Sequence, residues 1–335
     1  MEEPLVSIII SNYNGLPHLK ECFDSLNKLA YNNKEIIFID NFSRDNSVEY
    51  MKNKYHNVKI IQNRKDYGFS KANNIAASYA KGKYLAFLNV DTVVDKNWLT
   101  ELVKVAESST NIGIAVSKHY YYDEPDLINF AGSSSDKFLQ SHHIGINQKD
   151  NELLNIQNIT FYACFAATLM RRELIKKIGL FDPIYYAFAE DLDVSWRTWI
   201  SGSKVVYVPT SFIYHKTARI LGQKSLRKKY LLYRNKFRTL LKNYELKSLI
   251  TICPIYVVKR IGMSIKLILL MKREAKDYIY VNIKALFWNF INIKSLIKQR
   301  KLINQIRKRS DKFIFKLMEY SLIIKSNAIK IGKCS

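Results

Sequence analysis

Three carboxylates fall within four positions at Glu190-Asp191-Leu192-Asp193. Earlier in the chain, Asn89-Val90-Asp91 sets two oxygen-bearing side chains two positions apart, and Asp40 and Asp45 bracket Asn41-Phe42-Ser43-Arg44. Side chains of this kind accept hydrogen bonds from a base N–H or a ribose hydroxyl, ligate a hard divalent cation, or take a proton from a reacting hydroxyl. Each group also has a plainer explanation. Acids at a helix start complement unpaired N–H groups and the helix dipole, and Asp-Asn and Asn-Val-Asp are ordinary turn sequences. The elements that carry them decide between the two.

Those elements alternate. Leu5–Ile10, Glu35–Asp40, Val58–Ile61 and Tyr84–Leu88 are short apolar runs typical of buried strands. Between them, Leu19, Cys22, Phe23 and Leu26 recur at helical spacing, as do Ala72, Ile75, Ala76 and Tyr79 and then Trp98, Leu99, Leu102 and Val103. Ser70 and Asp95 are the expected N-caps of the second and third of these helices. The alternation predicts an α/β, Rossmann-like fold with a mostly parallel sheet and flanking helices. In such sheets ligands bind beyond the carboxyl ends of the strands. Ser11–Asn14, Asp40–Asp45 and Asn89–Asp91 all lie at such ends, so they should converge on one crevice. Residues 119–160 give weak strand signals, with His142 and His143 in a loop, and residues 161–170 read as a strand. A helix from Leu174 stops at Gly179. The acidic tetrapeptide opens another that runs to about Ser201 before Gly202. Two further strands, 205–208 and 212–214, precede His215.

Charge divides the chain. Residues 1–215 hold 23 Lys and Arg against 24 Asp and Glu, whereas residues 216–335 hold 30 against 5. A near-neutral first part thus precedes a basic, mainly α-helical C-terminal region that should seek polyanions. There Lys and Arg alternate with apolar clusters, the pattern of helices lying in an anionic membrane interface; a helical bundle with a solvated basic surface is the alternative. Leu249–Met271 is interrupted by Lys259, Arg260 and Lys266 and is not expected to span a bilayer. No nucleic-acid-binding signature accompanies the charge, so nucleic acid is not an expected partner. Cys22, Cys164, Cys253 and Cys334 are scattered thiols rather than a disulfide or zinc framework, and no secretory signal opens the chain. A cytoplasmic protein, peripheral on the inner face of the cell membrane, is the expectation.

Taken in order, Ser11-Asn12-Tyr13-Asn14, Asp40–Asp45, Gly68-Phe69-Ser70-Lys71-Ala72-Asn73-Asn74, Leu88–Asp91 and Glu190–Asp193 with Arg197 and Gly202 resemble the GT-A glycosyltransferase family 2, most closely its rhamnosyltransferase-like branch. The likeness runs from residue 4 to about 243 and includes Tyr233-Arg234-Asn235. It implies a GT-A domain over 1–220, followed by the basic helical region 221–335. It also implies an inverting transfer from a nucleoside-diphosphate sugar, dTDP-rhamnose or a UDP-sugar, to a hydroxyl of a glycan or lipid-linked glycan in bacterial surface polysaccharide synthesis, with Mn²⁺ or Mg²⁺. Ser11, Asn12, Asn14, Asp40, Asp45, Gly68, Asn73 and Asn89 would then bind the donor, and Asp91 with His215 the metal. The family's commoner motif has an acid where this chain has Asn89, which lowers the ligand charge. For His215, a structural role is as well supported. Asp191 is assigned as general base, ionised at neutral pH without any shift. Glu190 stands beside it, supporting it through a network with Asp193 and Arg197 or through a helix cap; Asp193 and Arg197 are spaced i,i+4 to pair. Trp196 and Trp199 are candidates for an acceptor groove. Two rival readings remain: a non-catalytic basic membrane- or RNA-binding module, and a sugar-phosphate nucleotidyltransferase. The latter should carry a Gly-rich basic loop after its first strand, which Ser11–Gly15 is not.

Overall fold

The computed structural model describes residues 3–217 and 225–331. The first part alternates as expected: β1 (Val6–Asn12), α1 (Leu16–Asn27), β2 (Lys34–Asp40), α2 (Ser47–Lys54), β3 (Lys59–Gln62), α3 (Gly68–Tyr79) and β4 (Tyr84–Asn89). Strands β3, β2, β1 and β4 are parallel neighbours in that order, with Ile10 in register with both Phe38 and Leu88. Successive β1 residues point to opposite faces. Ile8 and Ile10 pack with Phe23 and Trp98 on one side, and Ile9 packs with Ala72 and Ala76 on the other. Both faces are covered, which is why these strands read as continuous apolar runs.

The chain continues through β5 (Thr92–Val94), α4 (Trp98–Glu107), β6 (Ile112–Tyr121), β7 (Ile128–Phe130), β8 (Ser133–Ser135), β9 (Ser141–His143), β10 (Asn158–Ile159), β11 (Ala167–Arg171), α5 (Arg172–Ile178), α6 (Glu190–Ile200) and β12 (Lys204–His215); β8 and β9 pair with each other in a separate two-stranded sheet. Strand β11 lies antiparallel between β4 and β6, and β6 pairs parallel with β12. The result is a mixed sheet in the order β10-β12-β6-β11-β4-β1-β2-β3.

Several local expectations are corrected. Of residues 161–170, only the end is strand. The two runs at 205–208 and 212–214 are one strand with an irregularity between Val208 and Phe212. Ser70 lies inside the first turn of α3, its hydroxyl buried without a partner among the described residues, so it caps nothing. The Asp95 carboxylate accepts from the Asn97 N–H at 2.8 Å, closing a turn ahead of α4 whose N-cap is Asn97. His142 and His143 sit on β9, paired with Ser134 and Ser133.

Five helices complete the chain: α7 (Leu226–Asn243), α8 (Leu246–Leu269), α9 (Ala275–Ile291), α10 (Ile293–Ile306) and α11 (Asp311–Ile331). The boundary at 220/221 lies outside the described residues. Helix α7 packs on α6 and α9. Its buried face recurs at helical spacing but is polar: Arg234, Asn235, Arg238, Thr239, Lys242 and Asn243. A polar stripe is buried mostly where it finds partners, and these lie chiefly on residues 182–193, with Arg238 also donating to Ser295 of α10 at 3.0 Å.

Candidate active site

The carboxyl ends of β1 and β4 open onto a cleft of about 350 Å³, lined by Ser11, Asn12, Asn14, Asn41, Asn89 and Asp91 together with Phe69. Asp40 is fully buried beneath it. Its Oδ1 accepts from Asn12 Nδ2 at 2.9 Å and its Oδ2 from the Ser43 N–H at 3.0 Å. The bond to Asp40 fixes the Asn12 amide, since the flipped amide would set oxygen against carboxylate. Asn12 Oδ1 is thereby left buried without a hydrogen-bond donor among the described residues. A buried acceptor at a cleft wall suits a ligand N–H or hydroxyl.

Three expected donor ligands are placed elsewhere. Asp45 accepts from the Leu16 N–H at 3.0 Å through Oδ2 and from the Ser47 N–H at 3.1 Å through Oδ1, so it ties the starts of α1 and α2 together. Asn73 is buried and donates to its own helix at Phe69 O. Gly68 has φ +73°, and a Cβ there would lie 2.5 Å from the Tyr186 ring and carbonyl, so Tyr186 rather than the cleft requires the glycine. Tyr186 in turn donates its hydroxyl to Asp66, whose other oxygen accepts from Asn41 Nδ2 and the Gly68 N–H.

At the cleft's edge, His215 Nε2 lies 3.4 Å from Asp91 Oδ1, and His215 Nδ1 lies 3.2 Å from Asn129 Oδ1. Strand pairing brings them together, since β12 ends at His215 against Thr92. A proton on Nδ1 shared with Asn129 turns the Nε2 lone pair toward the Asp91 carboxylate. Two facing lone-pair donors fit a cation. Among the described residues no group of three or more His, Cys, Asp or Glu converges. Asp91 and His215 are thus two side chains that could hold a divalent ion while leaving positions for diphosphate oxygens.

The second half of the site is the start of α6. Asp193 is fully buried and accepts from Arg197 Nε at 3.0 Å, Lys242 Nζ at 2.8 Å and Asn243 Nδ2 at 3.0 Å. Burial pushes its carboxyl up, but Lys242 and Arg197 outweigh burial and hold it below the usual range. Arg197 also donates to the carbonyls of Ile178, Gly179 and Leu180. Glu190 does not join this network: its Oε2 is buried without a partner among the described residues. Burial first, then the Asp191 charge, raises its pKa strongly. Asp191 is only partly buried, and its Oδ1 accepts from the Leu192 N–H at 2.7 Å. Burial raises its pKa too, opposed by that bond and by the charge of Lys236, so the expected unshifted aspartate is corrected. Glu190 is pushed further, so Asp191 is the member that ionises first. The charges of Asp191 and Asp91 both bear on Cys164, whose thiol is pushed up to about 12, chiefly by burial. One side chain thus feels both ends of the site. Trp196 and Trp199 are buried in the core and shape no groove.

The loop before α6 is held in an uncommon shape, with φ of 63°, 72° and 63° at Tyr186, Phe188 and Ala189. Sequence reasoning missed what holds it. Asn235 Nδ2 lies 3.0, 2.8 and 2.7 Å from the carbonyls of Tyr185, Ala187 and Phe188, and Arg234 Nη2 donates to those of Ile184 and Tyr185. The polar 3–4 spacing of α7 was the available signal. Asn235→Asp turns this donor into an acceptor facing three carbonyls. We expect a kcat about 10- to 100-fold lower, with nucleotide affinity within about twofold, because the base is displaced and the cleft is not. Steady-state kinetics beside nucleotide titration checks this; an unchanged kcat refutes the clamp.

A sheet with parallel strands at its core and a cleft at their carboxyl ends is the architecture of the GT-A fold. Residues 7–179, just over half of the chain, match glycosyl transferase family 2, and the chain belongs to that family. Glycosyltransferase GlyG of Streptococcus pneumoniae serotype 4 is 26% identical over 210 residues, 61% of this chain and 68% of its own length. Poly-beta-1,6-N-acetyl-D-glucosamine synthase of Staphylococcus epidermidis is 22% identical over 219 residues, 65% of this chain and 51% of its own. Other relatives are longer still: the chain spans 26% of protein y4gI of Sinorhizobium fredii. In fold it is similar to GalNAc-T7, solved with UDP, GalNAc and Mn²⁺ (TM-score 0.59, 21% identity, 73% of this chain and 49% of that one). It is also similar to a mannosyltransferase of Pyrobaculum calidifontis, solved with GDP-Man and Mn²⁺ (TM-score 0.53, 11% identity, 98% and 88%).

Proposed function

We propose that this glycosyltransferase moves a sugar, with inversion, from a nucleoside-diphosphate donor to a hydroxyl of a glycan or lipid-linked glycan. The observation that carries this reading is the cleft at the carboxyl ends of β1 and β4, bordered by Asp91 with His215 beside it; Asp191, partly exposed at the start of α6, is the carboxylate the reading assigns as base. Asp40 and Asn12 read the base or ribose, with Ser11, Asn14 and Asn89 along the walls. Asp191 takes the acceptor proton as the hydroxyl attacks the anomeric carbon from the face opposite the diphosphate. Asp91 and His215 hold Mn²⁺ or Mg²⁺; bound there, the ion neutralises charge developing on the leaving diphosphate. The Mn²⁺ named with both structural neighbours supports that choice. In this reading residues 1–220 form the catalytic domain, 221–335 the basic region whose first helix completes the base side. The donor is dTDP-rhamnose, as in the rhamnosyltransferase-like branch, or a UDP-sugar, and the product enters bacterial surface polysaccharide. The basic region holds the enzyme on the anionic inner face of the cell membrane.

A panel of donors with Mn²⁺ or Mg²⁺ tests the reading, scored by nucleoside diphosphate release in the presence of glycan acceptors. Metal-dependent release from one donor class is expected. Pyrophosphate formation from a nucleoside triphosphate and a sugar 1-phosphate would favour a nucleotidyltransferase. Salt-dependent RNA binding with no turnover would favour a binding module.

A further inference from the structure

Helix α8 buries Ile252 and Tyr256, and nothing beyond them. From Ile261 to the turn after the helix, Ile265, Ile268, Leu269, Leu270 and Met271 are exposed, Leu269 at 76% and Met271 at 91%. The neighbouring helix continues the pattern: Ile283, Phe287 and Phe290 recur at three- and four-residue spacing on an exposed face of α9, Phe290 at 73%. Scattered apolar residues on a surface need no explanation, but a run of exposed apolar residues at the end of one helix beside a helix with its own exposed apolar stripe does. Five exposed cations lie along these helices and the turn between them, namely Lys259, Lys266, Lys272, Arg273 and Lys276, against Glu274 and Asp277; Arg260 is held inward by the Tyr256 and Tyr278 hydroxyls. Among the described residues no helix is long and apolar enough to cross a membrane.

We propose that this α8–α9 hairpin, tip first, enters the interface of a bilayer rich in anionic lipid, an inference that rests on the membrane reading above and names the surface responsible. The chemistry selects this occupant. A second copy of the chain would set five exposed cations against five, which like-charge repulsion disfavours. A nucleic acid would satisfy the cations and leave Leu269, Leu270 and Met271 in water. An anionic interface takes both: the apolar side chains enter the acyl boundary while the Lys and Arg stems run up to the headgroups. Lys266, inside the apolar run, limits the hairpin to a shallow seat rather than a span. The base-side helix α7 packs against α9, so the hairpin ties the catalytic half to the surface on which a lipid-linked acceptor would lie.

Sedimentation of the full chain with phosphatidylcholine vesicles, with and without phosphatidylglycerol, tests the proposal. The wild type is expected to sediment with phosphatidylglycerol vesicles only. Leu269→Glu with Met271→Glu should weaken that binding by about 100-fold, with turnover of a water-soluble acceptor unchanged. Both residues are exposed, so the fold tolerates the change. Lys272→Glu with Arg273→Glu should weaken binding as well and flatten its salt dependence. If the wild type sediments and the Leu269/Met271 variant sediments equally, the hairpin is the wrong surface and the membrane reading survives. If the wild type sediments with neither vesicle, both fall. A wild-type dimer in light scattering that the same variant converts to monomer would make a second copy the occupant and overturn the proposal.

Discussion

Asp191→Asn lowers kcat by about a thousandfold and leaves nucleoside-diphosphate affinity within about twofold. The substitution is nearly isosteric, and the Asn oxygen can keep the Leu192 N–H bond that now holds Asp191 at 2.7 Å. What is lost is the carboxylate proposed to take the acceptor proton. Because burial raises the Asp191 pKa, the wild-type rate should fall with acid over a range higher than an ordinary aspartate would give. The pair with Glu190 titrates jointly, but Glu190 holds its proton longer, so Glu190→Gln should leave that acid limb in place. The stability effect of Glu190 has the opposite dependence from that of a paired acid. Its folded pKa lies above its unfolded one; the associated stability is complete below the unfolded value and is lost as pH rises through the folded value. Glu190→Gln should therefore raise the melting temperature most at alkaline pH. Single-turnover kinetics and melting curves across pH check both statements. Near-normal turnover by Asp191→Asn would remove it from the role of base.

The parts of this site that the sequence disclosed are those set by local rules. Strands β1, β2 and β4 are apolar because they lie inside the sheet with their residues largely buried, so their carboxyl ends, with Asn12 and Asp40 on them and Asp91 just beyond, are readable from alternation alone. The Asp193–Arg197 pair followed from helical spacing. The parts that stayed hidden depend on contacts distant in sequence. Gly68 looked like a donor-side glycine because nothing in its neighbourhood announces Tyr186. Asp45 and Asn73 are oxygen- and nitrogen-bearing groups in the right motifs, yet backbone groups claim both: Asp45 accepts from the distant Leu16 N–H and from Ser47, and Asn73 donates to Phe69 of its own helix. Glu190 was grouped with Asp193 since both precede Arg197, but Arg197 is saturated by Asp193 and three carbonyls. Strand β6, central to the sheet's second half, was not named because its later half passes into a Tyr-rich, polar segment. The most instructive omission is α7, whose positive charge suggested a polyanion partner. Most of its buried polar face instead meets the acidic helix and the carbonyls before it.

That buried face sets the second large effect. Asp193→Ala destabilises the fold by about 3–5 kcal/mol, since it leaves Arg197 and Lys242 buried without their carboxylate. Lys242 keeps Asp182 at 3.1 Å, but Arg197 keeps only carbonyls. The direction with pH follows from the lowered pKa of Asp193. Its stabilisation is present above the unfolded value and lost as pH falls through the folded one, so the penalty of Asp193→Ala shrinks in strong acid. Lys242→Met should also be costly, because Asp182 and Asp193 then face each other with one cation fewer. The double variant should lose less than the two singles added together, the mark of a direct interaction. Urea titrations of the four proteins measure this coupling, and strict additivity would mean that the ion pair contributes nothing of its own. Activity per folded molecule separates the network's two roles. Asp193 lies two residues after Asp191 on the same helix, with its bonds running to α7, so its loss should also reduce kcat below what the folded fraction explains. A specific activity that tracks the folded fraction alone would confine Asp193 to stability and leave the aiming of Asp191 to the Asn235 clamp.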